Sequence, residues 1–390
     1  MKIASQVLKQ KLFMCLFCAW WIVRCPSLWS QADFAIQGLW GNMVSHSVNN
    51  KSMAGSVGGV QGEMRWFLSE SQVVDARKRF VGCALYGFDM GDGRREREFE
   101  AKYGEGKLGD YALGGQAYSV IGIVGEQISM GRGWQFRYQW GTGVSWNTKY
   151  FDVKTNPKNL AISTPLNFAG QLRVGVSHQI TDHMALNIGG NISHFSNANY
   201  RKPNVGYNIV HGHLGVIYQL KANRNGGYWQ TRYDDIAPSK HQLGSRFGYR
   251  MESMKKPGYF PVAVIEYSRF AFDKSHELGV SKHEWRWGLN GFYQGRYGYV
   301  DTFSGGSGNE IEVSARGEMG AFLRHLFHMG RFDLLLDLGV YLHRPLEGKT
   351  QFYNCLGFQY RLTDRWILQQ RLKAHLNNAD YLEWGMMYCF

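Results

Sequence analysis

A serine hydroxyl becomes a nucleophile when a base sits beside it, and imidazole is the usual base. The segment HFSNANYRKPNVGYN, residues 194–208, places His194 and Ser196 two positions apart. On an extended strand such residues project from one face, within reach of each other. After a polar turn at 198–205, a second strand pattern over 206–220 carries Asn208 on the same face as Val210, Leu214 and Val216. Histidine, serine and an amide therefore leave one side of a single hairpin. That set suits acyl transfer through a covalent intermediate on Ser196, with His194 as general base. A second reading is that three polar residues near a turn merely satisfy turn hydrogen bonds, where Ser, Asn and His are common. Periodicity alone leaves both open.

The elements that must position this set alternate with period two. Over 168–180 the even positions are Phe168, Gly170, Leu172, Val174, Val176, His178 and Ile180, while the odd positions carry Gln171, Arg173, Ser177 and Gln179. Over 331–342 Phe332, Leu334, Leu336, Leu338, Val340 and Leu342 alternate with Arg331, Asp333, Asp337 and Tyr341, broken only by Leu335. Runs this long exceed ordinary sandwich strands and match tilted membrane strands, which need about 9–11 residues to cross a bilayer. No apolar stretch past the N-terminal region approaches the ~18 residues of a helical span, and mean hydropathy is −0.35. With 48 Gly, 22 Tyr, 23 Phe and 13 Trp against 8 Pro, the composition is that of strands and glycine-relieved turns. The expected fold is all-β: an antiparallel transmembrane β-barrel of about 12–16 strands.

Residues 1–32 combine Lys2, Lys9 and Lys11, the apolar run Leu12–Val23, Pro26 and the small residues Ser30 and Ala32, which reads as a secretory signal peptide. Removing its four basic residues from a net charge of +13 leaves +9. Such a balance favours a phosphate-bearing surface, and export selects a phosphorylated glycolipid over nucleic acid. The remaining cysteines, Cys83, Cys355 and Cys389, form neither a disulfide framework nor a zinc spacing, so no metal or cofactor is expected. The stretches 91–106, 221–244 and 301–309, rich in Gly and charge, read as solvated connections. The last residues, LEWGMMYCF, put Leu382, Trp384, Met386, Tyr388 and Phe390 on one face. This resembles the terminal strand by which outer-membrane proteins are recognised by the barrel-assembly machinery.

An internal echo links ITDHMALNIGGNISHFSNANY (180–200) with LTDRWILQQRLKAHLNNADY (362–381). Asp182 to His194 is twelve residues and Asp364 to His375 eleven. A shift of one turns a strand residue to the opposite face, so His375 is expected beside Arg371 and Lys373 rather than on the apolar side. Asn377 stands where the first copy has Ser196. Only the first copy retains a nucleophile.

HFSNANYRKPNVGYN resembles the signature of the lipid A 3-O-deacylases of the PagL type. That resemblance implies an outer-membrane barrel that hydrolyses the ester-linked acyl chain at the 3-position of lipid A. It implies Ser196 as nucleophile and His194 as base. Asn197, Asn204 and the backbone at Gly206 then position the turn and stabilise the oxyanion. The family's acidic third member falls on Asn208, a departure, since an amide orients imidazole without lending it negative charge. Arg201 and Lys202 are candidates for contact with lipid A phosphates, or ordinary solvated charges. Weaker resemblance extends through 34–220, and 221–390 resembles the extended acyloxyacyl-hydrolase-like proteins. The expected organisation is a deacylase-like half at 33–220 and further strands at 221–390 in one continuous barrel. Its partner would be lipopolysaccharide in the outer leaflet; the sequence is silent on oligomeric state. Two alternatives remain: a non-catalytic structural or pore-forming barrel whose Arg361, Arg371, Lys373 and Glu383 line or plug a channel, or a phospholipase of the same membrane, which usually calls for calcium and dimerisation.

Overall fold

The computed structural model describes residues 32–44, 55–67, 77–90, 114–156, 159–220, 239–251, 259–271, 283–295, 317–329, 331–344, 350–376 and 378–390. Residues 1–31 of the expected signal peptide and the expected connections at 91–106 and 301–309 lie outside these residues, as does 221–238 of the third connection, whereas Ala32, the last residue of that expected peptide, opens the first strand. Within that third stretch, 241–244 already belongs to a strand.

Eight strands make a first antiparallel sheet: β1 (Ala32–Val44), β2 (Gly55–Phe67), β3 (Arg77–Asp89), β4 (Gln116–Gly131), β5 (Trp134–Asn147), β6 (Leu166–Gln179), β7 (Met184–Ser196) and β8 (Tyr207–Gln219). Eight more follow: β9 (His241–Met251), β10 (Tyr259–Phe270), β11 (His283–Gln294), β12 (Gly317–Met329), β13 (Phe332–His343), β14 (Phe352–Arg361), β15 (Trp366–His375) and β16 (Asn378–Cys389). The sixteen strands do not form the one continuous barrel expected from the sequence. They close twice, β1–β8 into one barrel and β9–β16 into another. β8 returns to β1, in register from Asp33 opposite Gln219 to Val44 opposite Asn208. β16 likewise meets β9, from Leu382 opposite Tyr249 to Cys389 opposite Gln242. In hydrocarbon each unpaired backbone group costs several kcal/mol, so a half that can supply its own closing partner leaves no edge to offer the other half.

The alternation seen in the sequence divides wall from lumen. Phe34, Ile36, Trp40, Leu186, Ile188 and Leu214 are exposed on the outside of the first barrel, as are Leu336, Leu338 and Leu342 on the second. An eight-stranded barrel is just wide enough for side chains to fill it. In the first lumen Glu63 pairs with Arg65 at 3.2 Å and with Arg173, and accepts from Gln139 at 3.0 Å. In the second, Glu266 meets Arg246 at 2.8 Å, Arg324 at 2.6 Å and Arg371 at 2.8 Å, while Asp337 and Glu383 complete the network. Arg371 and Glu383 thus plug the second lumen. Lys373 is fully buried beside them, its ammonium 3.8 Å from the Phe292 ring centroid, and Arg361 is also buried.

The echo resolves as its spacing requires. A register shift between Lys373 and Ala374 marks a bulge at Asp380 of β16, opposite β15, and His375 faces the lumen with Nε2 3.0 Å from Tyr341 Oη.

Candidate active site

Inward residues anchor the end of β7. Phe195 is fully buried, with ring centroids 6.1 Å from Tyr86 and 6.2 Å from Phe88. Because its neighbours on the strand face the other way, His194 and Ser196 project from the outer wall. His194 stands directly opposite Asn208 on β8, and Phe168 of β6 directly opposite Ser196.

These three side chains form one hydrogen-bonded chain. His194 Nδ1 lies 2.7 Å from Asn208 Oδ1, and His194 Nε2 lies 3.0 Å from Ser196 Oγ. With the proton on Nδ1 donated to the amide oxygen, Nε2 is left to accept the serine proton. The Asn208 amide nitrogen is buried with no hydrogen-bond partner among the described residues. Gly206, at φ +84°, passes close beneath the imidazole.

The turn after β7 is tied by its own asparagines. Asn197 N donates to Asn204 Oδ1 at 2.9 Å, and the Asn197 side chain donates to Ser163 Oγ at 3.0 Å and to the Arg201 carbonyl at 2.7 Å. The Gly206 N–H is engaged by the Ala161 carbonyl at 2.8 Å. Asn197 and Gly206 therefore spend these donors on the turn. The Asn204 side-chain amide, its oxygen fixed by Asn197 N, is the member of the set whose N–H groups make no hydrogen bond to a described residue. Arg201 and Tyr200 are exposed at the tip of the turn, Lys202 is half-buried, and Ser196 itself is 4 % exposed.

Sequence reasoning missed the segment that holds this turn, the β5–β6 connection. Ser163 Oγ donates to the Arg201 carbonyl at 2.7 Å, Val205 N to the Leu160 carbonyl at 3.2 Å, and Asn159 Nδ2 to Tyr207 Oη at 2.9 Å. Nothing in NLAISTP, 159–165, signals such a role, because its bonds are made largely to backbone groups distant in sequence. A second serine–histidine pair was also missed: Ser193 Oγ lies 2.9 Å from His211 Nε2, and His211 Nδ1 3.0 Å from the Asn191 side chain. It occupies the lumen face of the same strands, with Ser193 at 0 % and His211 at 2 % exposure.

Two family models match the chain. The one described as lipid A 3-O-deacylase (PagL) matches residues 100–217, and the one described as the C-terminal domain of acyloxyacyl hydrolase matches 247–390. Among solved structures, the outer-membrane enzyme PagL is 14 % identical, with 46 % of this chain and 97 % of that one covered and a TM-score of 0.30. Neisserial surface protein A is 8 % identical, with 49 % and 96 % covered and a TM-score of 0.30. No curated protein matches the sequence.

Proposed function

We propose that this chain, which the lipid A 3-O-deacylase model matches over residues 100–217 and the acyloxyacyl hydrolase C-terminal model over 247–390, removes the ester-linked acyl chain at the 3-position of lipid A, through an acyl-enzyme on Ser196. The observation that carries this reading is the bonded chain Ser196–His194–Asn208 on the outer wall, where an acyl chain of the surrounding lipid meets it without leaving the membrane. Polar side chains on such a wall are costly unless they serve a purpose.

In the first step Ser196 Oγ attacks the ester carbonyl carbon and its proton passes to His194 Nε2. The negative charge that develops on the carbonyl oxygen needs donors already aimed at it, and the Asn204 side-chain amide is the candidate. Collapse breaks the bond to the sugar oxygen, which leaves with the proton from His194. Water from the interface then gives a proton to His194 and attacks the acyl-enzyme; collapse breaks the bond to Ser196 Oγ, which takes the proton back from His194, and the fatty acid is released. Asn208 holds the imidazole tautomer throughout, but lends the imidazolium no charge. Arg201 and Lys202, on the turn above, supply cationic contacts for the phosphates of the glycolipid headgroup.

The test is mass spectrometry of lipid A after incubation with the refolded protein and with Ser196→Ala. Loss of one ester-linked acyl chain, abolished by the substitution, is expected. Lipid A left intact by wild type would favour a structural barrel that retains the geometry without the reaction.

A further inference from the structure

The β7–β8 turn touches the second barrel at Asn199 and Lys202, and the first of these is unusual. Ala198 and Asn199 are consecutive non-glycine residues in the left-handed region, at φ 52° and 64°. Each such residue costs roughly 1–2 kcal/mol and persists only where its surroundings hold it. For Asn199 the surroundings belong to the other barrel. Its carbonyl accepts the Met251 N–H at 3.1 Å, and its side-chain amide donates to the Asp380 carbonyl at 3.0 Å. Next to it, Lys202 N donates to Met251 Sδ at 3.3 Å. Asn199 and Met251 are each 7 % exposed.

The two backbone groups that Asn199 engages are not an arbitrary pair. The β9–β16 ladder that closes the second barrel ends with Leu382 opposite Tyr249. The same register carried two residues further would set Asp380 opposite Met251. Asp380 is also the residue that the β15–β16 pairing skips, since Tyr381 faces Lys373 and Ala379 faces Ala374. A bulge of this kind takes a backbone group out of the ladder. Asn199 fills the place of the missing rung, with its carbonyl meeting the N–H of one strand and its amide meeting the carbonyl of the other.

We propose that the second barrel is a positioning partner for the reactive turn, and that Asn199 is the residue through which it acts. Seated in the open rung, Asn199 fixes the left-handed pair and so sets Ser196 and Asn197, directly before it, against His194. The inference rests on the reading of Ser196 as the nucleophile. It gives residues 241–390 a part in the chemistry although they contribute no reacting group.

The experiment compares wild type with Asn199→Asp, which is isosteric and opposes a carboxylate to the Asp380 carbonyl, and with Asn199→Gly, which tolerates the left-handed backbone but has no amide. Two quantities are read in each full-length protein: amide hydrogen exchange at Met251, and kcat and KM for lipid A deacylation. The Met251 amide should be protected in wild type and exchange faster in both variants. kcat should fall roughly 10- to 100-fold with KM little changed, as for loss of positioning rather than of binding. Arg79→Ala, which removes the bond from Arg79 to the His328 carbonyl elsewhere between the barrels, should leave both quantities at wild-type values. An unchanged kcat in an active protein whose Asn199 variants lose Met251 protection would overturn the positioning role. So would an equal loss in Arg79→Ala, which would assign the effect to docking of the barrels at large. A wild type that leaves lipid A intact would instead defeat the reading of the site itself, while exchange at Met251 still reports whether Asn199 occupies the rung.

Discussion

Gly206 lies so close beneath His194 that a Cβ built on it would come within 2.7 Å of the imidazole Cε1. The residue is also at φ +84°, where an L side chain is strained. The position of the imidazole thus depends on a residue with no side chain. Gly206→Ala should cost at least about 1 kcal/mol of stability from the backbone alone. The added methyl should push the ring from its bond with Ser196 and lower kcat roughly 100-fold. Thermal unfolding and lipid A turnover, measured on one preparation, separate the two effects.

Asn208→Asp should raise the rate. A carboxylate accepts the same Nδ1 proton over the 2.7 Å now spanned to the amide oxygen, and it stabilises the imidazolium formed in the first step. It also replaces a buried amide nitrogen that has no partner among the described residues. A gain of roughly tenfold in kcat is expected, the conservative end of what a single electrostatic contact supplies. A slower variant would mean that the amide is matched to the site in a way the charge argument omits.

Ser163→Ala deletes a hydroxyl that donates to the Arg201 carbonyl and accepts from the Asn197 side chain. The loss should be about 1–3 kcal/mol, because the Asn197 amide is left buried with one bond fewer. It should appear as faster hydrogen exchange across 197–206 before it appears in global unfolding.

Glu266→Leu tests the second lumen. Glu266 pairs with Arg246, Arg324 and Arg371, all fully buried. Removing one member of a buried ion network leaves uncompensated charge and costs about 3–5 kcal/mol. The denaturant midpoint of the variant should drop accordingly. Wild type should give no single-channel conductance in a planar bilayer, since side chains occupy both lumens.

The wall-and-lumen division was legible in the sequence because a strand's two faces meet such different solvents. The runs at 168–180 and 331–342 appear as β6 (Leu166–Gln179) and β13 (Phe332–His343). The meeting of His194, Ser196 and Asn208 was legible for the same reason, as a matter of shared face on adjoining strands. Closure was not, because period two says which way a residue points and nothing about which strand it lies beside. That β8 returns to β1 instead of meeting β9 is decided between chain segments far apart in sequence. The hold of the β5–β6 connection on the reactive turn was hidden for a related reason, since Leu160 and Ala161 act through backbone carbonyls that any residue carries.

The division into two closed barrels also sets the strength of contact the reactive turn requires. Two separate membrane proteins joined by a few hydrogen bonds, such as those at Asn199 and Lys202, would drift apart at ordinary densities in the bilayer. Here the first barrel ends at Gln219 and the second begins at His241 on the same polypeptide, so each sees the other at an effective concentration of order millimolar. A weak and readily reversible contact then suffices, and the stoichiometry is one to one however much or little protein the membrane holds. Tethering turns what would otherwise be an encounter between neighbours into an intramolecular equilibrium.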